Sequence, residues 1–149
     1  MLLDKGAKAD IQNNSGQTPL SLAANTWHAQ EVEIFLTLDK VNPNSKDYLG
    51  RSPLSWSVGI GKLAPLHKFE ADAMKTLLDD DRVEVNLRDN EGRTPISLAA
   101  GEGCVEAVEV LIMDDGVDID LADNNGWTPL QWAQEKRRRE VIATLSSRK

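Results

Sequence analysis

Two histidines, His28 and His67, and one cysteine, Cys104, are the side chains of this sequence best suited to metal binding or covalent catalysis. Zinc requires Cys or His ligands grouped at short, characteristic spacings, and neither histidine has a second Cys or His so placed. A thiol nucleophile requires an activating neighbour, but Cys104 is flanked by Gly103 and Val105. The acidic run Asp79-Asp80-Asp81 lacks the spaced oxygen ligands of a calcium loop, and a solvated helix end is expected there. Gly59-Ile60-Gly61 and Gly101-Glu102-Gly103 are not embedded in a phosphate-cradling glycine motif. Lys136-Arg137-Arg138-Arg139 could serve nuclear import or anionic docking, yet charges at a turn between helices sit in water without cost, and that reading is preferred. A catalytic site needs clustered titratable groups in a pocket. None is foreseen, so no catalytic, cofactor-binding or metal-binding residue is assigned and the chain is read as a non-enzyme.

The elements that would position any site repeat along the chain. Gly92-Arg93-Thr94-Pro95-Ile96-Ser97-Leu98-Ala99-Ala100 has three further versions, beginning Gly16-Gln17-Thr18-Pro19-Leu20, Gly50-Arg51-Ser52-Pro53-Leu54 and Gly126-Trp127-Thr128-Pro129-Leu130. The Thr or Ser stands at 18, 52, 94 and 128, giving intervals of 34, 42 and 34. Such periods mark stacked repeats. Each version reads as turn, cap and helix. Gly permits the turn, Thr or Ser caps the first free helix amides, and Pro at the first helical position forfeits no useful donor.

With its Thr-Pro-Leu core, the repeated stretch resembles the ankyrin repeat, and the resemblance covers nearly the whole chain. It implies an all-α solenoid of stacked helix pairs joined by short β-hairpin turns, without catalytic activity or cofactor. Aligned on the turn glycines, the chain divides into a partial repeat at 1–12 and repeats at 13–46, 47–88, 89–122 and 123–149. The second full repeat is longer by 42 − 34 = 8 residues, placed at 62–69. There Leu66, Phe69, Ala73 and Leu77 make a helical stripe, so the second helix of this repeat is expected to begin near Pro65. Other helices are expected at 19–24, 28–38, 95–101 and 104–114, with Ala29, Val32, Phe35 and Leu36, then Val105, Val108, Leu111 and Ile112, facing inward. Gly6 and Gly116 suit a left-handed helix stop, whereas Lys40 and Arg82 at the same position suit it less. Arg139 and Ser146 replace Val105 and Ile112 in the last repeat, so that repeat reads as a C-terminal cap. The chain opens in mid-repeat, as a piece of a longer array or a frayed end would. The Ser-Trp variants resemble those of long fungal ankyrin arrays.

The resemblance further implies a protein partner bound on a concave face made of hairpin tips and first helices. On this sequence the matching tip positions are Asn14, Ser15 and Gln17; Tyr48, Leu49 and Arg51; Asn90, Glu91 and Arg93; Asn124, Asn125 and Trp127. Arg51 and Arg93 would suit an acidic partner segment, with Trp127 and Tyr48 adding apolar contact. Trp56 and Trp132 share the repeat position of Leu22 and Leu98 and are expected in the core; Trp27 has no clear role. Ser21, Ser55, Ser97 and Gln131 stand where the family usually has His, which removes a contact between repeats but not the fold.

Composition agrees with a folded, partner-binding chain. Of its 149 residues, 40% are hydrophobic and 28% charged, as in a folded protein rather than a disordered one. Aromatics are only 5%, which thin solenoid layers tolerate. A net charge of −7 disfavours a general grip on phosphate backbones, so no nucleic-acid partner is expected. One cysteine allows no internal disulfide, and Asp4 and Lys5 interrupt the start too early for a signal peptide. No stretch reaches the apolar length of a membrane span. A monomer inside the cell, cytoplasmic rather than nuclear, is the expectation, as the C-terminal part of a larger protein or as a regulatory or targeting domain of a multidomain enzyme or receptor, with catalysis outside this chain.

Overall fold

The computed structural model describes residues 8–62 and 71–148. These form the helices α1 (Pro19–Asn25), α2 (Ala29–Leu36), α3 (Pro53–Ser57), α4 (Ala71–Leu78), α5 (Pro95–Glu102), α6 (Val105–Ile112), α7 (Pro129–Glu135) and α8 (Arg139–Ser147), and no strand is found among the described residues. Odd-numbered helices stack on one another in one row and even-numbered helices in a second. The fold is the expected all-α solenoid of helix pairs. The foreseen helix start near Pro65, with Leu66, His67 and Phe69, lies outside the described residues, as does all of 62–69 except Lys62. The remainder of that stripe, Ala73 and Leu77, is buried in α4.

Local chemistry starts each first helix. Thr18, Ser52, Thr94 and Thr128 are extended, and their hydroxyls accept from the backbone N–H of Ser21, Ser55, Ser97 and Gln131. Proline follows each of them at the first helical position, where no amide is needed. Ser21, Ser55 and Ser97 also set their hydroxyls 3.2–3.3 Å from the capping oxygen. The serines in the histidine place are thus turned into their own cap. Gln131 instead completes a reciprocal capping box with Thr128.

The first helices end alike. Trp27, Gly61, Gly103 and Arg137 share one repeat position, and all have φ between +56° and +81°. Beyond that residue, His28, Cys104 and Arg138 donate N–H to the carbonyls of Ala23, Ala99 and Ala133, five residues back, the long bond of a left-handed helix stop. Trp27 holds this unfavourable backbone because its indole N–H reaches Ser57 O in the next pair, at 3.1 Å. The Lys62 ammonium lies 5.1 Å from the centre of its ring. The second helices end differently from expectation. Gly116 is not left-handed; the Asp114 side chain accepts its N–H at 2.8 Å, and Val117 N–H returns to Asp114 O. This turn needs no glycine, which is why Lys40 and Arg82 occupy the same place.

One continuous core runs from Leu20 to Leu145. Val32, Val108 and Leu111 are fully buried, while Ala29, Phe35, Leu36, Val105 and Ile112 pack against them from its edge. In the last pair Val141 and Leu145 are buried, whereas Arg139 and Ser146 face solvent as foreseen. The loops between pairs are stitched together by side chains at one recurring position. Asp10, Asn44 and Asn86 side chains accept the N–H of Asn42, Glu84 and Asp118, each in the following loop. The amides of Asn44 and Asn86 also donate to Arg82 O and Gly116 O, at 2.7 Å each. An Asp or Asn recurs at 10, 44, 86 and 120, with the same intervals as the caps, and that recurrence was the available signal.

Candidate functional site: the row of hairpin tips

Each tip is built around one Asx side chain. Oδ1 of Asn13, Asp47, Asp89 and Asp123 accepts two backbone N–H groups, from the residues two and four positions on, all at 2.9–3.0 Å. Between those donors lies Gly16, Gly50, Gly92 or Gly126, with φ of +75° to +81°. Short polar side chains that bond their own downstream backbone are what make such turns. The tips then stack through Tyr48 N–H to Ser15 O, Asn90 N–H to Leu49 O and Asn124 N–H to Glu91 O, at 3.0–3.1 Å. Stacking is close enough that a Cβ on Gly16 would come within 2.7 Å of the Tyr48 ring.

The second oxygen of the same aspartate varies, and with it the surface. In the pairs that carry Trp56 and Trp132, the indole N–H donates to Oδ2 of Asp47 at 2.9 Å and of Asp123 at 2.8 Å. The residue after the turn glycine then covers the indole. Arg51 holds its guanidinium carbon 5.1 Å from the Trp56 ring centre, and Trp127 sets its ring 4.9 Å from that of Trp132, tilted by 55°. Where Leu98 replaces the indole, Arg93 takes the free oxygen itself, with Nε and Nη2 at 3.1 and 3.0 Å from Asp89 Oδ2, and Glu91 adds a contact at 3.3 Å. Where Leu22 stands, the Asx is Asn13, and its amide bonds Gln17 Oε1 at 3.2 Å. Trp56 and Trp132 are therefore not core residues. Both are half-buried on the tip side, because an indole N–H must find an acceptor and the tip carboxylate is the one within reach. The shared position diverges widely, with Leu22 40% and Leu98 5% exposed.

Asp123 shows the electrostatic balance of a tip. Burial pushes its carboxyl upward, but the N–H groups of Trp127, Trp132 and Asn125, and the charge of Arg93, outweigh that and hold it below the usual carboxylate value. The carboxylate is thus a fixed negative strut.

The structure brings the foreseen tip residues into one row with unequal roles. Asn90 and Asn124 spend their amide groups on the preceding tip, donating to Tyr48 O and Asn90 O at 2.9 and 3.1 Å. Asn14, Ser15, Asn125 and Glu91 are exposed, and Gln17, Arg93 and Trp127 are half-buried. Tyr48 and Leu49 are the outstanding apolar groups, 67% and 54% exposed. Trp127, with Gln131, Gln134 and Glu135, also lines a hollow beside α7. On the opposite side a second groove lies between α4 and α6, floored by Leu78, Val110 and Met113 and edged by Lys75, Asp79, Glu109 and Asp114.

Elsewhere the reactive groups are tied down. Cys104 is buried, and burial first, with Glu102 and Glu106 adding to it, raises its thiol to about 11, so it stays protonated. His28 is exposed beside Glu31. Asp80 is bonded to Arg82, which also donates to Leu36 O at 2.7 Å. Arg138 lies in the turn between α7 and α8 and donates to Gly101 O at 3.1 Å, so part of the basic run is structural. Among the described residues no group of three His, Cys, Asp or Glu could hold a metal, and no helix is long and apolar enough to cross a membrane.

Stacked helix pairs with Asx-built tips define a helical repeat protein. Residues 63–149 match the family described as ankyrin repeats in three copies, and residues 15–48 match a single ankyrin repeat. The chain belongs to the ankyrin repeat family. It is 39% identical over 66 residues to human (Homo sapiens) ankyrin repeat domain-containing protein 63, and 38% identical to the mouse (Mus musculus) protein over the same length. Each match covers 44% of this chain and 17% of the relative, so the chain corresponds to a small part of those proteins. Ankyrin repeats generally mediate protein–protein interaction and are generally non-catalytic.

Proposed function

We propose that this chain is a non-catalytic scaffold that binds a protein partner along the row of hairpin tips and the first helices of the pairs. The observation that carries this reading is the exposure of Tyr48 and Leu49 on a tip whose backbone is fixed twice, by Asp47 within it and by its neighbours on either side. A rigid platform that presents large apolar groups loses little entropy on binding. Gln17, Arg51, Arg93 and Trp127 extend the platform to either side. In this reading the chain is a monomeric part of a larger intracellular protein, cytoplasmic rather than nuclear, and any catalysis belongs to other segments.

The test compares two surfaces. The double variant Tyr48→Ser/Leu49→Ser alters the tip row, and Met113→Ser alters the outer groove; all three side chains are exposed, so folding is spared. A partner cross-linked to the intact chain in cell extract should bind the tip variant at least about tenfold more weakly, as expected for lost hot spots. Met113→Ser should bind normally. Loss through Met113 with the tip variant unaffected would move the interface to the outer helices and refute the proposal.

A further inference from the structure

We infer that Trp56 makes Arg51 a recognition point for a carboxylate on the bound partner, so that the partner segment crossing this tip is acidic and apolar rather than merely apolar. The inference rests on reading the tip row as the binding surface.

The comparison that supports it is internal. Arg51 and Arg93 occupy one repeat position, and each follows a turn glycine and an aspartate. Arg93 is neutralised within its own tip by Asp89 and Glu91. Arg51 has the corresponding Asp47, but the Trp56 indole N–H occupies its Oδ2, while Oδ1 is filled by the Leu49 and Arg51 backbone. Leu49 replaces Glu91, so the second acid is missing as well. Among the described residues no carboxylate pairs with Arg51, and its Nε–H is buried without an acceptor. The guanidinium is instead laid over the indole, 5.1 Å from the ring centre. Stacking of this kind fixes the plane of the group and lowers the entropy lost when it forms a bond. The terminal nitrogens of an oriented, unpaired guanidinium suit a carboxylate supplied from outside. Tyr48 and Leu49 beside it would take the apolar residues of the same segment.

The probe is a synthetic twelve-residue peptide of alternating Glu and Leu, compared with otherwise identical peptides carrying Gln or Lys in place of Glu. Binding to the full chain is followed by NMR, through the Arg51 Nε–H, the Trp56 indole N–H and the amides of the tips. The Glu peptide should shift the Arg51 and Trp56 signals and bind at least about fivefold more tightly than the Gln peptide, as for a charge-assisted bond at a partly dry site. Arg51→Gln should abolish that preference, whereas Arg139→Gln, on the solvent side of α8, should not. The decisive variant is Trp56→Leu. It keeps Arg51 but gives this tip the Leu98 arrangement, so Arg51 should turn onto Asp47 and the preference should vanish while the fold, judged by its melting temperature, stands.

Equal binding of Glu and Gln peptides with shifts at the tips would overturn the carboxylate inference and leave the surface proposal intact. A Glu preference retained by Trp56→Leu would overturn the role of the indole. Shifts at the tips that spare Arg51 would overturn the carboxylate inference alone, and shifts confined to α2, α4, α6 and α8, or none anywhere at millimolar peptide, would overturn both.

Discussion

Asp123→Asn isolates the bond on which a tip depends. The asparagine oxygen would remain on the Asn125 and Trp127 amides, at 2.9 and 3.0 Å in the native chain. Its amide nitrogen would then face the Trp132 indole N–H, donor against donor, where Oδ2 now accepts at 2.8 Å. Flipping the amide is worse, since it sets the nitrogen against two backbone donors. One hydrogen bond to a charged acceptor contributes about 1.5–3 kcal/mol, and water reaching the half-buried indole recovers part of it, leaving a loss of about 1–2 kcal/mol. In a chain of this size that lowers the melting temperature by about 3–6 °C. Urea denaturation at neutral pH measures it, with Trp132→Leu as the second arm of a double-mutant cycle. Asn13 beside Leu22 is the natural version of the double variant, so the two changes together should cost less than their sum by about 1 kcal/mol. Acid gives an independent check. Because the folded state holds Asp123 below its ordinary value, its contribution is complete above the unfolded pKa of about 4 and is lost as the pH falls through the lower folded one. The loss of stability on acidification below about pH 4 should be shallower in Asp123→Asn. Additive costs within about 0.3 kcal/mol, or an unchanged acid slope, would refute the account of the tip.

Three further outcomes are expected. Trp127→Ala should lower the melting temperature by several degrees in thermal denaturation, because the Trp127 ring packs at 4.9 Å on Trp132 and such pairs add about 0.5–1.5 kcal/mol beyond their buried area; an unchanged melting temperature would show that the ring serves the partner alone. Thr94→Ala, which deletes a buried cap, should cost about 1 kcal/mol, and Leu111→Ala, which opens a cavity, about 2–5 kcal/mol in the same urea titration; the reverse order would mean that cap and core are misassigned. Arg137→Gly should stabilise the chain by about 1 kcal/mol through relief of its positive φ, whereas Trp27→Gly should destabilise it despite the same relief, because the bond to Ser57 and the ring's packing are lost; like signs for the two would refute that explanation of Trp27.

Features fixed by backbone chemistry were legible in the sequence. The Thr or Ser caps, the proline starts and the turn glycines each follow from one residue's local preference, so Thr18, Ser52, Thr94 and Thr128 could be placed without knowledge of their neighbours. The misplaced features depend on what lies across the stack. Grouping Trp56 and Trp132 with Leu22 and Leu98 by repeat position treats the indole as bulk and ignores its N–H. The acceptor, Asp47 or Asp123, lies nine residues upstream in each case, a pairing visible in the sequence once the N–H is counted. Gly116 suits a left-handed stop by residue type, but the Asp114 side chain makes the turn without one. Arg93 and Arg51 look equivalent as letters. They differ because one tip holds Leu98 and Glu91 and the other Trp56 and Leu49, and only the contacts show which arginine is already neutralised.

On the proposed reading of the tips as the binding surface, that difference locates where such a repeat would vary its partner without risking its fold. In the first three full repeats the positions of Thr94, Ile96 and Ala99 are buried in the stack, so a change there is felt by neighbouring helix pairs at once. In the column of Leu22, Trp56, Leu98 and Trp132 the two indoles bond the aspartate of their own tip and are covered by its post-glycine residue, with Lys136 also 6.0 Å from the Trp132 ring centre. Exchanging Leu for Trp in that column leaves cap and turn geometry alike, since all four tips keep the same Oδ1 bonds. What changes is the surface charge. With Leu the tip arginine closes on its own acid, and with Trp it is held open over an aromatic face. In a tip that lacks a second acid, as with Leu49 in place of Glu91, this single apolar position would then decide whether the arginine is neutralised from within. Composition and net charge register nothing of such a change, and a partner touching the tip would meet it directly.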